Sequence, residues 1–145
     1  MTFLTHAVMS TDVISIMEDH SIAEAEALMH SRHIRHLPVL NQKHELAGIL
    51  SVKDLGKLHD RSASVKDIMT TSVRVVKKNA NIKEVIETML LNKISSVLVA
   101  TAESIVGIVT TDDLLRLLSQ VLEDNDDLES FEVGSFFDDS WSSYR

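Results

Sequence analysis

Apolar positions along this chain follow two rhythms, and the same succession of rhythms occurs twice. In the second half, Ile82, Val85, Ile86, Met89 and Leu90 recur at i, i+3, i+4, i+7 and i+8, which predicts an amphipathic helix opened at Asn81. In the first half, Ser21-Ile22-Ala23-Glu24 reads as a capping box that opens a helix to about residue 32. Short runs rich in branched aliphatics predict strands at 13–16, 36–40 and 46–50, and again at 73–76, 97–100 and 105–109. The hairpin of the first half turns through the polar stretch 41–45. Further helices are predicted at 52 to about 58 and at 114–122, with a short helical turn ending near Met9.

The succession β-α-β-β-α therefore covers residues 5–122 in two copies. Met9 and Met69, Ile34 and Ile94, and Val39 and Val99 stand 60 residues apart, whereas Gly48 and Gly107 stand 59 apart. The second hairpin turn is one residue shorter. Each copy is too small for a full core, so the two are expected to pack sheet to sheet as one α/β (α+β) unit with pseudo-two-fold symmetry. The division read from the sequence is 1–62 for the first repeat with its lead-in, 63–122 for the second, and 123–145 for a tail.

Charge sharpens that division. The net charge of −8 is an average. Residues 1–122 hold 13 Lys+Arg against 14 Asp+Glu, giving −1, whereas residues 123–145 hold one arginine against eight acids, giving −7. Five of the six aromatics also lie in the tail: Phe131, Phe136, Phe137, Trp141 and Tyr144. Two readings of it stay open, a flexible solubilising segment and an acidic–aromatic segment that docks on a protein partner. Neither half carries the basic stripe that nucleic-acid binding needs. No run of 18 apolar residues suggests a membrane span, and no basic-then-apolar leader is visible. Zero cysteines exclude disulfides and thiolate metal sites, and a cytoplasmic location is expected.

The candidate chemistry sits where each second strand runs into its helix, at Gly48-Ile49-Leu50-Ser51-Val52-Lys53-Asp54 and Gly107-Ile108-Val109-Thr110-Thr111-Asp112-Asp113. A hydroxyl residue opens the helix, and a carboxylate follows three residues later. Helix-opening N–H groups can hold an anion, and a carboxylate can accept from a neighbouring diol, so phosphate plus ribose is the matching ligand. The same spacing is also a capping box that only stabilises the helix start. For either stretch alone the capping reading is the simpler; its repetition at the same place in both copies favours the ligand.

These segments, with Met9-Ser10-Thr11-x-Val13 and Ile34-Arg35-His36-Leu37-Pro38-Val39 in the first copy, and Val65-Lys66-Asp67-Ile68-Met69-Thr70 and Ile94-Ser95-Ser96-Val97-Leu98-Val99 in the second, resemble a tandem pair of CBS domains (the cystathionine-β-synthase repeat), often called a Bateman module. The resemblance implies a non-catalytic regulatory module. Its clefts, between the two repeats, would take an adenosine-containing ligand such as AMP, ADP, ATP, NAD or S-adenosylmethionine, with Mg²⁺ as a companion of ATP. It also implies cross-built sites. One would hold Thr110 and Asp113 with Thr11, Val13, Arg35 and His36; the other would hold Ser51 and Asp54 with Thr71, Val73, Ser95 and Ser96. Leu98 replaces the usual strand proline, and Ser95-Ser96 stand where the first copy has Arg35-His36, so the two sites are expected to be unequal.

Family members usually pair through helix faces, which implies a homodimer. Glu26, His30, Gly56 and His59 align with Ile86, Leu90, Leu115 and Leu118, so the second copy offers the more apolar helices. The alternative reading is a purely structural dimerisation module with empty clefts. His30, His33 and His36 are spaced by threes, but His36 falls in the next strand and no carboxylate completes a metal site. Asp112-Asp113 could join Mg²⁺ to a nucleotide phosphate, and a solvated Asp112 is the simpler reading. Without cysteine, a Gly-x-Ser-x-Gly elbow or a Walker loop, no catalysis is expected.

Overall fold

The computed structural model describes residues 2–124 and resolves two compact units, which interleave along the chain. Asp12–Arg74 forms one, and the residues up to Thr11 join Val75 onward to form the other. Each is built on a three-stranded sheet.

In the Asp12–Arg74 unit, strand β1 (Ile16–Met17) leads through helix α2 (Ile22–Arg32) into the hairpin β2 (His36–Leu40) and β3 (Leu46–Ser51). β1 runs parallel to β2, and β3 antiparallel to it. The sequence expectation for β1, residues 13–16, overlaps it only at Ile16. The strand's extent is set by its pairing of Ile16 with Val39 and Met17 with Leu40, not by the apolarity of Val13 and Ile14. Ser21 closes the expected capping box, accepting from the Glu24 N–H at 3.1 Å while Glu24 accepts from the Ser21 N–H at 3.2 Å. α2 buries Ile22, Ala25 and Met29 against Leu37, Val39 and Leu50 of the sheet, with Val65 and Ile68 closing the cluster. Each fully buried aliphatic contributes about 1.5–3 kcal/mol relative to exposure.

The expected helix at 52–58 is a 3₁₀ turn, Val52–Gly56. Gly56 disfavours helical continuation, and the segment buries little besides Asp54. Its counterpart in the second copy carries Leu114, Leu117 and Val121 along one face and forms a full helix.

In the other unit, α1 (Thr5–Val8) precedes β4 (Val75–Lys77), α3 (Ile82–Asn92), β5 (Ser96–Ala100), β6 (Ile105–Thr110) and α4 (Thr111–Asp124). β4 pairs parallel with β5, and β6 antiparallel with β5. β4 begins two residues later than the apolar run 73–76 suggests, again because its register is set by Leu98 and Val99. α3 buries Ile82, Val85 and Met89 against Val97, Val99 and Val109. The lead-in belongs here: buried Thr5 bonds the Ala80 carbonyl through both its N–H (2.9 Å) and its hydroxyl (2.8 Å), and Phe3, Val8 and Met9 pack on the cluster. α4 takes in Glu123 and Asp124, the first two acids of the tail. The tail's aromatics and its remaining acids lie outside the described residues.

Candidate functional site

In each unit a short segment pairs with the outer edge of the hairpin at a single residue and brings a hydroxyl beside the helix-opening aspartate. Thr70 exchanges backbone bonds with Ile49 of β3, both at 2.9 Å, and Ser10 does the same with Ile108 of β6, at 2.8 and 2.9 Å. A glycine makes room for each approach. A Cβ at Gly48 would lie 2.7 Å from the Thr70 carbonyl oxygen and 2.8 Å from the Met69 sulfur, and one at Gly107 would lie 2.5 Å from the Met9 sulfur.

Asp113 is 6% exposed and Asp54 5%. Asp113 Oδ2 accepts from the Thr110 N–H at 2.9 Å and the Thr110 hydroxyl at 3.0 Å. Its Oδ1 accepts from the Ser10 hydroxyl at 2.8 Å and from the Arg116 guanidinium at 3.1 Å. Asp54 repeats the pattern. Its Oδ2 accepts from the Ser51 N–H at 2.9 Å and hydroxyl at 3.1 Å; its Oδ1 takes the Thr70 hydroxyl at 3.4 Å and the Lys57 ammonium at 2.7 Å. The capping geometry read from the sequence is thus present at both aspartates. It places a buried, hydroxyl-lined anionic group at the same point of each unit.

The helix-opening N–H groups are less open than the sequence suggests. The first of each turn is taken by the chain itself, with the Val52 N–H on the Arg35 carbonyl and the Thr111 N–H on the Ser95 carbonyl, both at 3.0 Å.

The remaining sequence-derived residues divide between the units. Thr71, Val73, Val13, Arg35 and His36 lie in the unit of Asp54, and Thr11, Ser95 and Ser96 in the unit of Asp113. His36 stands opposite Ser51 across the β2–β3 hairpin, and Ser96 opposite Thr110 across β5–β6. Thr11 and Thr71 are exposed; the hydroxyls on the carboxylates are those of their predecessors, Ser10 and Thr70. Their signal was the Met-Ser and Met-Thr pairs standing 60 residues apart, but nothing local to them indicates a bond to an aspartate far along the chain. Lys57 and Arg116 were likewise missed, although both follow their aspartate by three residues. Arg35 is exposed and lines an open depression of about 400 Å³ with Glu26, His30, His33, Val52 and Leu55. Among the described residues, no cluster of three or more His, Asp or Glu side chains stands where a metal ion could be held. None of their helices is long and apolar enough to cross a membrane.

The family model for the CBS domain matches residues 6–58 and again 65–120. An inosine-5′-monophosphate dehydrogenase of Methanocaldococcus jannaschii is 31% identical over 106 residues, covering 72% of this chain and 21% of that protein. A homoserine O-acetyltransferase of Methanohalobium evestigatum is 30% identical over 124 residues, covering 81% of this chain and 25% of that one. The chain thus matches only about a quarter or less of the length of these relatives. Among solved structures, the CBS domain pair of protein MJ0100, in complex with 5′-methylthioadenosine and S-adenosyl-L-methionine, superposes with a TM-score of 0.77 at 28% identity, over 83% of this chain and 99% of that one. A putative acetoin utilization protein from Vibrio cholerae superposes with a TM-score of 0.78 at 25% identity, over 88% and 99%.

Proposed function

Because the chain belongs to the CBS domain family, we propose that it is a regulatory module, without catalysis of its own, that binds an adenosine-containing ligand and passes occupancy to a partner or to its own oligomer. The observation that carries this reading is the buried carboxylate edged by two hydroxyls at the same point of both units. A carboxylate so placed suits the 2′,3′-diol of a ribose, since each oxygen can take one hydroxyl. The residues proposed to meet the ribose are Asp54, Ser51 and Thr70, and Asp113, Thr110 and Ser10. Arg35 and His36 are proposed for a phosphate, to which they can give charge-assisted bonds. The structural relative that holds methylthioadenosine and S-adenosylmethionine supports the adenosine part of the reading.

A thermal-shift panel of AMP, ADP, ATP, NAD, S-adenosylmethionine, 5′-methylthioadenosine and guanine nucleotides tests it. A ligand present at 100 times its dissociation constant should add about 2.7 kcal/mol of apparent stability. Adenosine compounds should shift the melting temperature and guanine nucleotides should not. Silence across the panel would favour a purely structural module.

The transmitting contact is proposed to be a homodimer through α4. Leu115, Leu118 and Leu122 lie along one face of that helix at 58%, 52% and 49% exposure. Three large aliphatics at i, i+3 and i+7 form the kind of apolar stripe that a second copy covers. Leu118→Glu is expected to turn a dimer into a monomer in sedimentation, with the melting temperature of the monomer little changed. A wild-type chain that sediments as a monomer at high micromolar concentration would remove the contact.

A further inference from the structure

A carboxylate offers about four lone-pair sites. At Asp54 four donors of the chain itself occupy them, and at Asp113 four others do the same. A diol can therefore bind only by displacing donors that are already there. The backbone N–H groups of Ser51 and Thr110 end a strand and cannot swing away. The hydroxyls of Ser51 and Thr110 on Oδ2, and those of Thr70 and Ser10 on Oδ1, can rotate to accept from a ligand and stay. The donors that hold Oδ1 most strongly, and that stand where a ligand hydroxyl would meet it, are the two cations, both half or more exposed: Lys57 at 50% and Arg116 at 72%.

We infer that Lys57 and Arg116 are intramolecular competitors for the ribose diol, and that they set the affinity of each carboxylate. Both stand three residues after their aspartate, so the device is repeated along with the carboxylate. It is not equally strong in the two units. Lys57 holds Asp54 at 2.7 Å and also donates to the Ile68 carbonyl at 3.0 Å, so opening it costs two bonds. Arg116 reaches Asp113 at 3.1 Å from a more exposed position. Asp54 is consequently the more tightly latched carboxylate, and Asp113 the one that an adenosine ligand fills first. This rests on the adenosine reading of the two carboxylates.

Removing a competitor raises apparent affinity by the inverse of the fraction of time the site stands open, on the order of threefold to tenfold for a latch closed most of the time. The test is a calorimetric titration with adenosine, chosen because an uncharged ligand cannot attract the freed ammonium. Lys57→Met and Lys57→Gln are made in an Asp113→Asn background, so that Asp54 alone is read. Both are expected to tighten adenosine several-fold, to gain much less for 2′-deoxyadenosine, which lacks the diol, and to melt within a few degrees of their parent. Lys57→Arg, which restores a cation, should return to the parent affinity. Arg116→Met in an Asp54→Asn background should gain less. A wild type that ignores adenosine while Lys57→Met binds it would show the latch at its strongest. Unchanged or weaker adenosine binding in both Lys57 variants, with Asp54→Asn still abolishing it, overturns the latch and leaves the adenosine reading intact. Binding by none of the proteins, or binding indifferent to both aspartates, overturns both. A large drop in melting temperature for both neutral variants would make the ammonium a structural tie and overturn the latch alone.

Discussion

Gly48→Ala is expected to lower the unfolding free energy by about 3 kcal/mol, summing the strain of an added methylene in packed surroundings and the loss of about two net hydrogen bonds. The reason is backbone, not side chain. The new Cβ would sit 2.7 Å from the Thr70 carbonyl oxygen, which cannot rotate away as a side chain can. The segment carrying Thr70 must retreat, and its two bonds with Ile49 go with it. The Thr70 hydroxyl then leaves Asp54, so adenosine binding at that carboxylate should weaken together with stability. Gly107→Ala should cost less, because its closest neighbour is the flexible end of Met9. Gly56 supplies the control: a Cβ there meets nothing within 4 Å, so Gly56→Ala should be neutral or stabilising by up to about 1 kcal/mol. Urea denaturation of the three variants measures the order. Equal midpoints for Gly48→Ala and Gly56→Ala would contradict the packing described.

Asp113→Ala should be nearly as damaging and more informative. It leaves the Thr110 N–H, the Thr110 and Ser10 hydroxyls and the Arg116 guanidinium without their acceptor. The side chains can turn to water, but the Thr110 N–H cannot. The lost cap and the stranded donor together cost about 2–3 kcal/mol, which corresponds to a drop on the order of 5–10 °C in melting temperature. Asp112→Ala, at the exposed neighbouring position, should stay within about 0.5 kcal/mol of wild type. Scanning calorimetry of the two variants separates them. A drop for Asp113→Ala no larger than that for Asp112→Ala would mean that the carboxylate holds nothing.

Much of this was legible in the chain because it is local. The apolar runs 36–40 and 46–50, joined by the polar turn 41–45, read as a hairpin, and the stripe from Ile82 to Leu90 reads as a helix. Ser21 and Glu24 form their box within one turn. The two aspartates stand out in the sequence because local spacing and repetition coincide there. What was not legible depends on distant partners. The strand at Ile16–Met17 is defined by Val39 and Leu40, not by its own residues. Both α2 and α3 end at a residue in the left-handed region, His33 and Lys93, where glycine would have announced the stop. The lead-in packs with the second sheet through Thr5 and Ala80, 75 residues apart, which no local pattern could signal. Ser10 reaches Asp113 across 103 residues for the same reason. Lys57 and Arg116 are near enough to have been seen. A lysine or arginine one turn along a helix start is so common on a solvated face that nothing marked these two as partners of a buried acid.

The most direct measurement of the central claim is a calorimetric titration of 5′-methylthioadenosine or S-adenosylmethionine into the wild-type chain and into the doubly substituted Asp54→Asn, Asp113→Asn chain, each first shown to be folded. The wild type should bind, and the double variant should lose 100-fold or more in affinity, about 2.7 kcal/mol, the worth of charge-assisted bonds to both ribose hydroxyls. Equal affinity in the two proteins would show that the aspartates only cap their helices, and that whatever ligand the chain holds is held elsewhere.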